Sequence, residues 1–169
     1  YLHGPQFLMY TSDDMVGVAV GGAVKNVIAV AVGLCDGLGF GANTRCALIT
    51  RGLHEMAQLG VSMGAQAQTF MGLSGMGDLV LTCTDDQSRN RRFGLALASG
   101  LDVASAEQQI GQVVEGKKAV VATQALAKKH GIDMPINHMM YRILYQGVAP
   151  AEGLKVLLAQ GPSVEFDID

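Results

Sequence analysis

Val16-Gly-Val-Ala-Val20-Gly-Gly-Ala-Val-Lys25-Asn-Val-Ile-Ala-Val-Ala-Val-Gly-Leu34 is the stretch that decides how this chain is read. It is apolar enough to be buried on every side, and it is interrupted only by Lys25 and Asn26. As a helix it places Gly21 and Ala29 one turn either side of Lys25, with Ile28 at i+3, and none of these pairs with a charge. Burying an ammonium is costly and draws a lysine toward the range in which it trades protons. The ordinary alternative is a lysine that lays its stem on apolar surface and keeps its head in water. Spacing alone leaves both readings open.

Outward from this stretch the periodicity is helical. Thr11, Ser12 and Asp13 are cap candidates for a helix running toward Val32. Gly37, Gly39 and Gly41 form a loop, and Asn43 or Thr44 starts a second helix that stops near Gly60. A shorter stretch covers Ala65 to Phe70, and Gly72-Leu-Ser-Gly-Met-Gly77 reads as a tight connection. Ser88 caps a helix ending near Gly100, and Ser105 begins a short one before Gly111. Further helices span Gly116 to His130, Asn137 to Gln146 and, opened by Pro150, the residues to Leu158. Gln6 to Tyr10 is expected to be extended, residues 13–160 to form one helical domain, and the acidic residues 161–169 to fray. The expected class is mainly α.

Composition narrows the function. The chain has 169 residues, enough for one domain with a sizeable core, and 49% are apolar against 16% charged. A net charge of -3 excludes a general nucleic-acid footprint. The three cysteines, Cys35, Cys46 and Cys83, are odd in number and far apart, so a disulfide framework is not expected and a reducing cytoplasm is the simplest home. Lys25 interrupts the only candidate for the roughly 18 apolar residues of a membrane span. The chain opens on Tyr1 rather than Met, as a piece of a longer protein would.

Few motifs carry chemistry alone. The Gly72–Gly77 pattern follows no expected strand and is not a dinucleotide fingerprint. Asp78, between those glycines and an apolar run, either caps the next turn or partners a buried cation or a substrate hydroxyl. In Asp85-Asp-Gln-Ser-Arg-Asn-Arg-Arg92, three arginines gather where a helix begins, either as a phosphate-binding arrangement or as a solvated face balanced by Asp85 and Asp86. His54-Glu55 starts like a zinc-protease helix, but Gln58 stands where the second ligand is needed, so no metal is expected.

Taken in series, Gly21-Gly-Ala-Val-Lys-Asn-Val27, Gly37-Leu-Gly-Phe-Gly-Ala-Asn-Thr-Arg45, Ala47-Leu-Ile-Thr-Arg-Gly52, Gly75-Met-Gly-Asp-Leu-Val-Leu-Thr-Cys83, Gln87-Ser-Arg-Asn-Arg-Arg92 and Val114-Glu-Gly116 closely resemble the C-terminal half of bacterial NAD(P)-dependent glycerol-3-phosphate dehydrogenases. The resemblance runs from about Tyr10 to Leu158. It implies a helical substrate domain of the 6-phosphogluconate dehydrogenase C-terminal-like type, with the Rossmann domain outside this chain and residues 1–12 a remnant of the junction. It implies Lys25 as the proton-transfer residue, and Asp78, Ser88, Arg89 and Asn90 as substrate contacts. It further implies Arg89, Val113 and Glu115 as contacts to NAD or NADP, with Asn26 and Thr82 as looser second contacts. The partners implied are dihydroxyacetone phosphate and glycerol 3-phosphate, in the cytoplasm and as a precursor supply for phospholipids, with a homodimer left open. Such a chain alone should be inactive. Two rivals remain: a related dehydrogenase half with another substrate, and a helical dimerisation module without chemistry. A catalytic role requires Lys25, Asp78 and Arg89 to converge, whereas a scaffold scatters them.

Overall fold

The computed structural model describes residues 9–159. The tail at residues 161–169 and most of the Gln6–Tyr10 segment lie outside that range, and Met9 and Tyr10 belong to no regular element. Among the described residues the regular elements are all helical. They are α1 (Met15–Gly37), α2 (Ala42–Ser62), α3 (Ala67–Met71), a single π-helical turn (Leu73–Gly77), α4 (Asp78–Thr84), α5 (Arg89–Ala98), α6 (Val103–Ile110), α7 (Glu115–His130), α8 (Pro135–Tyr145) and α9 (Pro150–Leu158).

The cap of α1 is Asp14, one residue beyond the expected candidates. Its Oδ1 accepts from the Gly17 N–H at 2.8 Å, while Oδ2 accepts from the Gln66 N–H at 2.9 Å and the Thr69 hydroxyl at 2.6 Å. One carboxylate thus starts α1 and pins the segment that leads into α3. Those bonds, the Thr69 hydroxyl first, hold its pKa below the ordinary carboxylate value. Ser12 instead accepts from the Asp14 N–H. The helix also runs past Val32 to Gly37, because Val32, Gly33, Leu34 and Cys35 are all buried and continuing the turns satisfies their backbone groups.

The other helices pack around α1 except α6, which packs on α5. Val27 to Cys35 are buried without interruption, which is why the stretch carries no single apolar stripe. By length and mean hydropathy (1.9) α1 is apolar enough to cross a membrane despite Lys25, but 72% of that window is buried inside the protein. Its closest neighbour is α5. A Cβ on Gly33 would lie 2.0 Å from the Arg91 carbonyl oxygen, and one on Gly94 would lie 2.2 Å from that of Val30. Only hydrogen side chains let these two backbones meet.

The Gly72–Gly77 connection is a π turn continuous with α4 rather than an open loop. Two other starts shift: Asp102, not Ser105, caps α6, and Glu115 opens α7 one residue before the expected Gly116. Ser88 caps α5 as expected, its Oγ accepting from the Arg91 N–H. Pro150 occupies the first turn of α9, as expected.

Glu55 of α2 supplies an unforeseen tertiary cap. It is 5% exposed, and its carboxyl accepts from the Ile136 N–H at 2.8 Å and the Asn137 N–H at 3.3 Å, in the first turn of α8. Burial pushes its pKa from 4.5 up to about 8, against the lowering effect of those two bonds. The folded state therefore holds a proton that the unfolded chain releases. Stability contributed in this way is complete below about pH 4.5 and is lost as pH rises to about 8. Denaturation midpoints across that window should show the loss in the wild type and not in Glu55→Gln, so parallel profiles would refute the assignment. Separately, Gly94→Ala should lower the unfolding free energy by at least roughly 1–3 kcal/mol through overpacking against Val30, read from urea titration.

Candidate active site

Lys25 leaves the buried face of α1 with 20% of its side chain exposed, and its partner comes from another helix. Its Nζ donates to Asp78 Oδ2 at 2.5 Å. Asp78 is the first residue of α4, so the π turn before it sets where the carboxylate stands. Thr82, one turn on, donates to the Asp78 carbonyl at 2.6 Å and lies 3.3 Å from Asp78 Oδ1. Of the two roles open to Asp78 in the sequence, pairing with a cation is the one seen.

The next residue, Asn26, is buried and joins three helices. Its Oδ1 accepts from Asn90 Nδ2 at 2.8 Å, and its own Nδ2 donates to the Gly22 carbonyl at 3.0 Å and to Glu115 Oε2 at 3.2 Å. Asn90 Oδ1 in turn accepts from the Gly116 N–H at 2.8 Å. That bond needs α7 pressed onto α1: a Cβ on Gly116 would lie 2.7 Å from the Asn26 carbonyl oxygen. Two carboxamides thus lock the starts of α5 and α7 onto α1.

Over this lock opens a cleft of about 320 Å³, lined by Lys25, Asn26, Leu81, Thr82, Asp85, Gln87, Ser88, Arg89, Asn90 and Glu115. Lys25, Ser88, Arg89, Asn90 and Glu115 therefore share one cavity, with Asp78 held against it through Lys25. Arg89, with 40% of its side chain exposed, lies 3.8 Å from Glu115. Convergence is what a catalytic reading requires and a scaffold does not.

The gathering of three arginines fails. Arg91 turns away from the cleft to Asp36 and Asp86, and Arg92 is exposed and does not line it. Helix rotation explains this, since successive residues of α5 point about 100° apart and, of the three arginines, Arg89 alone lines the cavity. Val113 is 58% exposed on the segment before α7 and is not part of the lining. Leu81, Asp85 and Gln87 line the cleft without having been singled out by the sequence. All three sit inside or beside the quoted motifs, and the signal available was their one-turn or adjacent spacing from Asp78 and Ser88.

Burial pushes the Cys83 thiol up to about 12 and the Cys35 thiol up to about 11, so neither supplies a thiolate nucleophile at neutral pH. Among the described residues no group of His, Cys, Asp and Glu is arranged to hold a metal ion.

Known proteins resemble this chain in sequence and fold. The glycerol-3-phosphate dehydrogenase [NAD(P)+] of Shewanella sediminis is 58% identical over 165 residues, covering 97% of this chain and 49% of that protein. That of Shewanella halifaxensis is 58% identical over 160 residues, covering 94% of this chain and 47% of its own length. The crystal structure of glycerol-3-phosphate dehydrogenase from Coxiella burnetii superposes with a TM-score of 0.92 at 51% identity, over 94% of this chain and 49% of that one. The chain thus spans about half the length of the relatives it matches. The family model of the NAD-dependent glycerol-3-phosphate dehydrogenase C-terminus matches residues 14–155, and the chain belongs to that family as its helical C-terminal domain.

Proposed function

We propose that this chain is the substrate-binding half of an enzyme that interconverts dihydroxyacetone phosphate and sn-glycerol 3-phosphate with NAD(P)H. The observation that carries the reading is the Lys25–Asp78 pair at the wall of a cleft that also holds Arg89 at the start of α5.

Reduction of the ketone needs a hydride at carbon and a proton at oxygen. The nicotinamide supplies the hydride when bound. Lys25 Nζ, fixed by Asp78, donates the proton to the carbonyl oxygen and takes it back in the reverse direction. Thr82 stands beside Asp78, its hydroxyl donating to the Asp78 carbonyl. Arg89 and the free N–H groups of the first turn of α5 receive the phosphate, so that binding remote from the carbonyl orients it. Ser88 and Asn90 complete that wall. Asn90 acts there through the bonds that hold α5 and α7 on α1.

The residues present suit one edge of a nicotinamide cofactor. Glu115 and Arg89 offer polar groups at the cleft, and Val113 offers exposed apolar surface just before α7. No Gly-rich strand–turn–helix unit among the described residues could cradle its pyrophosphate. Leu81, 60% exposed, adds apolar surface to the cleft lining. The reading includes a cytoplasmic enzyme that supplies glycerol 3-phosphate to phospholipid synthesis. The burial of α1 and the three free cysteines support the compartment.

Cofactor oxidation with dihydroxyacetone phosphate should appear when the chain is joined to a nicotinamide-binding half and be absent from the chain alone. A folded, cofactor-loaded two-domain protein that leaves this substrate untouched would sink the reading. In that protein Lys25→Ala should cut turnover by roughly a hundred- to ten-thousand-fold while glycerol 3-phosphate still binds. Arg89→Ala should raise the KM for the phosphorylated substrate by roughly ten- to a hundredfold, the worth of one lost charged hydrogen bond. An unchanged KM would place the phosphate elsewhere.

A further inference from the structure

Arg91 follows Arg89 and Asn90 in α5, yet its guanidinium serves a different purpose. Its Nε and Nη2 donate to Asp36 Oδ2 at 3.2 and 2.9 Å, and its Nη1 donates to Asp86 Oδ1 at 2.6 Å. Asp36, near the end of α1, has a side chain only 10% exposed, and that of Arg91 is 11% exposed. Arg45 Nε of α2 approaches the other Asp36 oxygen at 3.5 Å. The anchored end of Arg91 is thus close to buried and built from two long helices. Its other end reaches Asp86, whose side chain is 94% exposed and lies in the short segment between α4 and α5.

That segment is one wall of the cleft. Asp85, Gln87, Ser88, Arg89 and Asn90 all line it, and Asp86 and Arg91 are the two positions that interrupt or end the run without joining it. One guanidinium therefore clamps the wall from behind. It ties the segment to α1, the helix that carries Lys25, through a planar fork that serves two carboxylates at once. The Ser88 hydroxyl adds a second tie to the same residue by accepting from the Arg91 N–H.

We propose that Arg91, held by Asp36, is a positioning residue: it sets the distance between the wall that receives the substrate's phosphate and the lysine that meets its carbonyl. The proposal rests on the function proposed above. A brace that only stabilised the fold would act on melting alone. A brace that positions the wall acts on the fit for the phosphate and leaves the hydride and proton steps intact.

The test uses the two-domain protein, with wild type, Arg91→Lys and Asp86→Asn compared. A lysine keeps the charge facing Asp36 but has no fork with which to hold Asp86 as well. The KM for dihydroxyacetone phosphate should rise roughly tenfold in Arg91→Lys, with kcat and the KM for the cofactor within about twofold of wild type. Asp86→Asn, which removes only the exposed arm, should shift the same KM in the same direction by less. If Arg91→Lys does not fold, Asp86→Asn decides alone. A folded variant with a lower melting temperature and an unchanged KM overturns the proposal, as does a fall in kcat without a shift in KM. Wild-type protein that ignores dihydroxyacetone phosphate removes the functional reading itself, and this proposal with it.

Discussion

Backbone contact between α1 and its neighbours is the constraint on which the rest of the molecule depends. Gly33 and Gly94 bring α1 and α5 together at a distance that no side chain permits, and Gly116 does the same for α7. Such contacts transmit position with little slack, because close-packed interiors respond to a displacement of even a methyl group. The carboxamides of Asn26 and Asn90 occupy the junction and satisfy each other and the Gly116 N–H. A shift of α5 relative to α1 would therefore break buried hydrogen bonds as well as packing, at roughly 1–3 kcal/mol for each group left unsatisfied. Packing and polar bonding hold the same geometry, and that geometry is the floor of the cleft.

The charges around the cleft divide by what their pairing is worth. Arg91 and Asp36 are both close to buried, so each would be costly alone, and their contact mainly offsets desolvation. The Arg89–Glu115 contact is different. At 3.8 Å, with side chains 40% and 56% exposed, it falls in the class worth roughly 0–1 kcal/mol. Lys25 and Asp78 lie between these cases, partly exposed and in short contact, which suits a group that must be held in place and still reach a ligand.

The fold was largely legible because the apolar run, the glycines and the prolines each act locally. Pro150 opens α9 and Ser88 caps α5 for reasons contained within a few residues. What escaped was tertiary. Asp14 outcompetes Thr11, Ser12 and Asp13 as the cap of α1 because it also bonds Gln66 and Thr69, about fifty residues away. Glu55 reads as an ordinary helical glutamate, yet it caps α8 across the core. In the site, Lys25 and Asp78 are marked by the cost of charge in an apolar run, and Arg89 by its place at a helix start. Arg91 and Arg92 carry the same sequence signal as Arg89, and only rotation about α5 separates a cleft residue from a brace and an exposed side chain. The carboxamide lock could not be read at all, since nothing local sets Asn26 against Asn90.

Two helix starts, those of α5 and α7, meet at the cleft, and their first turns differ in charge. Glu115 opens α7, so that helix carries a carboxylate against its positive end, while Asp78 stands where α4 continues the π turn and its N–H is already bonded. The first turn of α5 has no acidic residue; its cap is the neutral Ser88, and its first residue is Arg89. A negative group at a helix start is worth roughly 0.3–1 kcal/mol, and α5 lacks one from its own first turn. Glu115 reaches toward Arg89 from α7, but at a distance and exposure that make it a weak counterion. The start of α5 beside Arg89 therefore favours added negative charge more than that of α7 does, with Asp85 the other carboxylate in the lining.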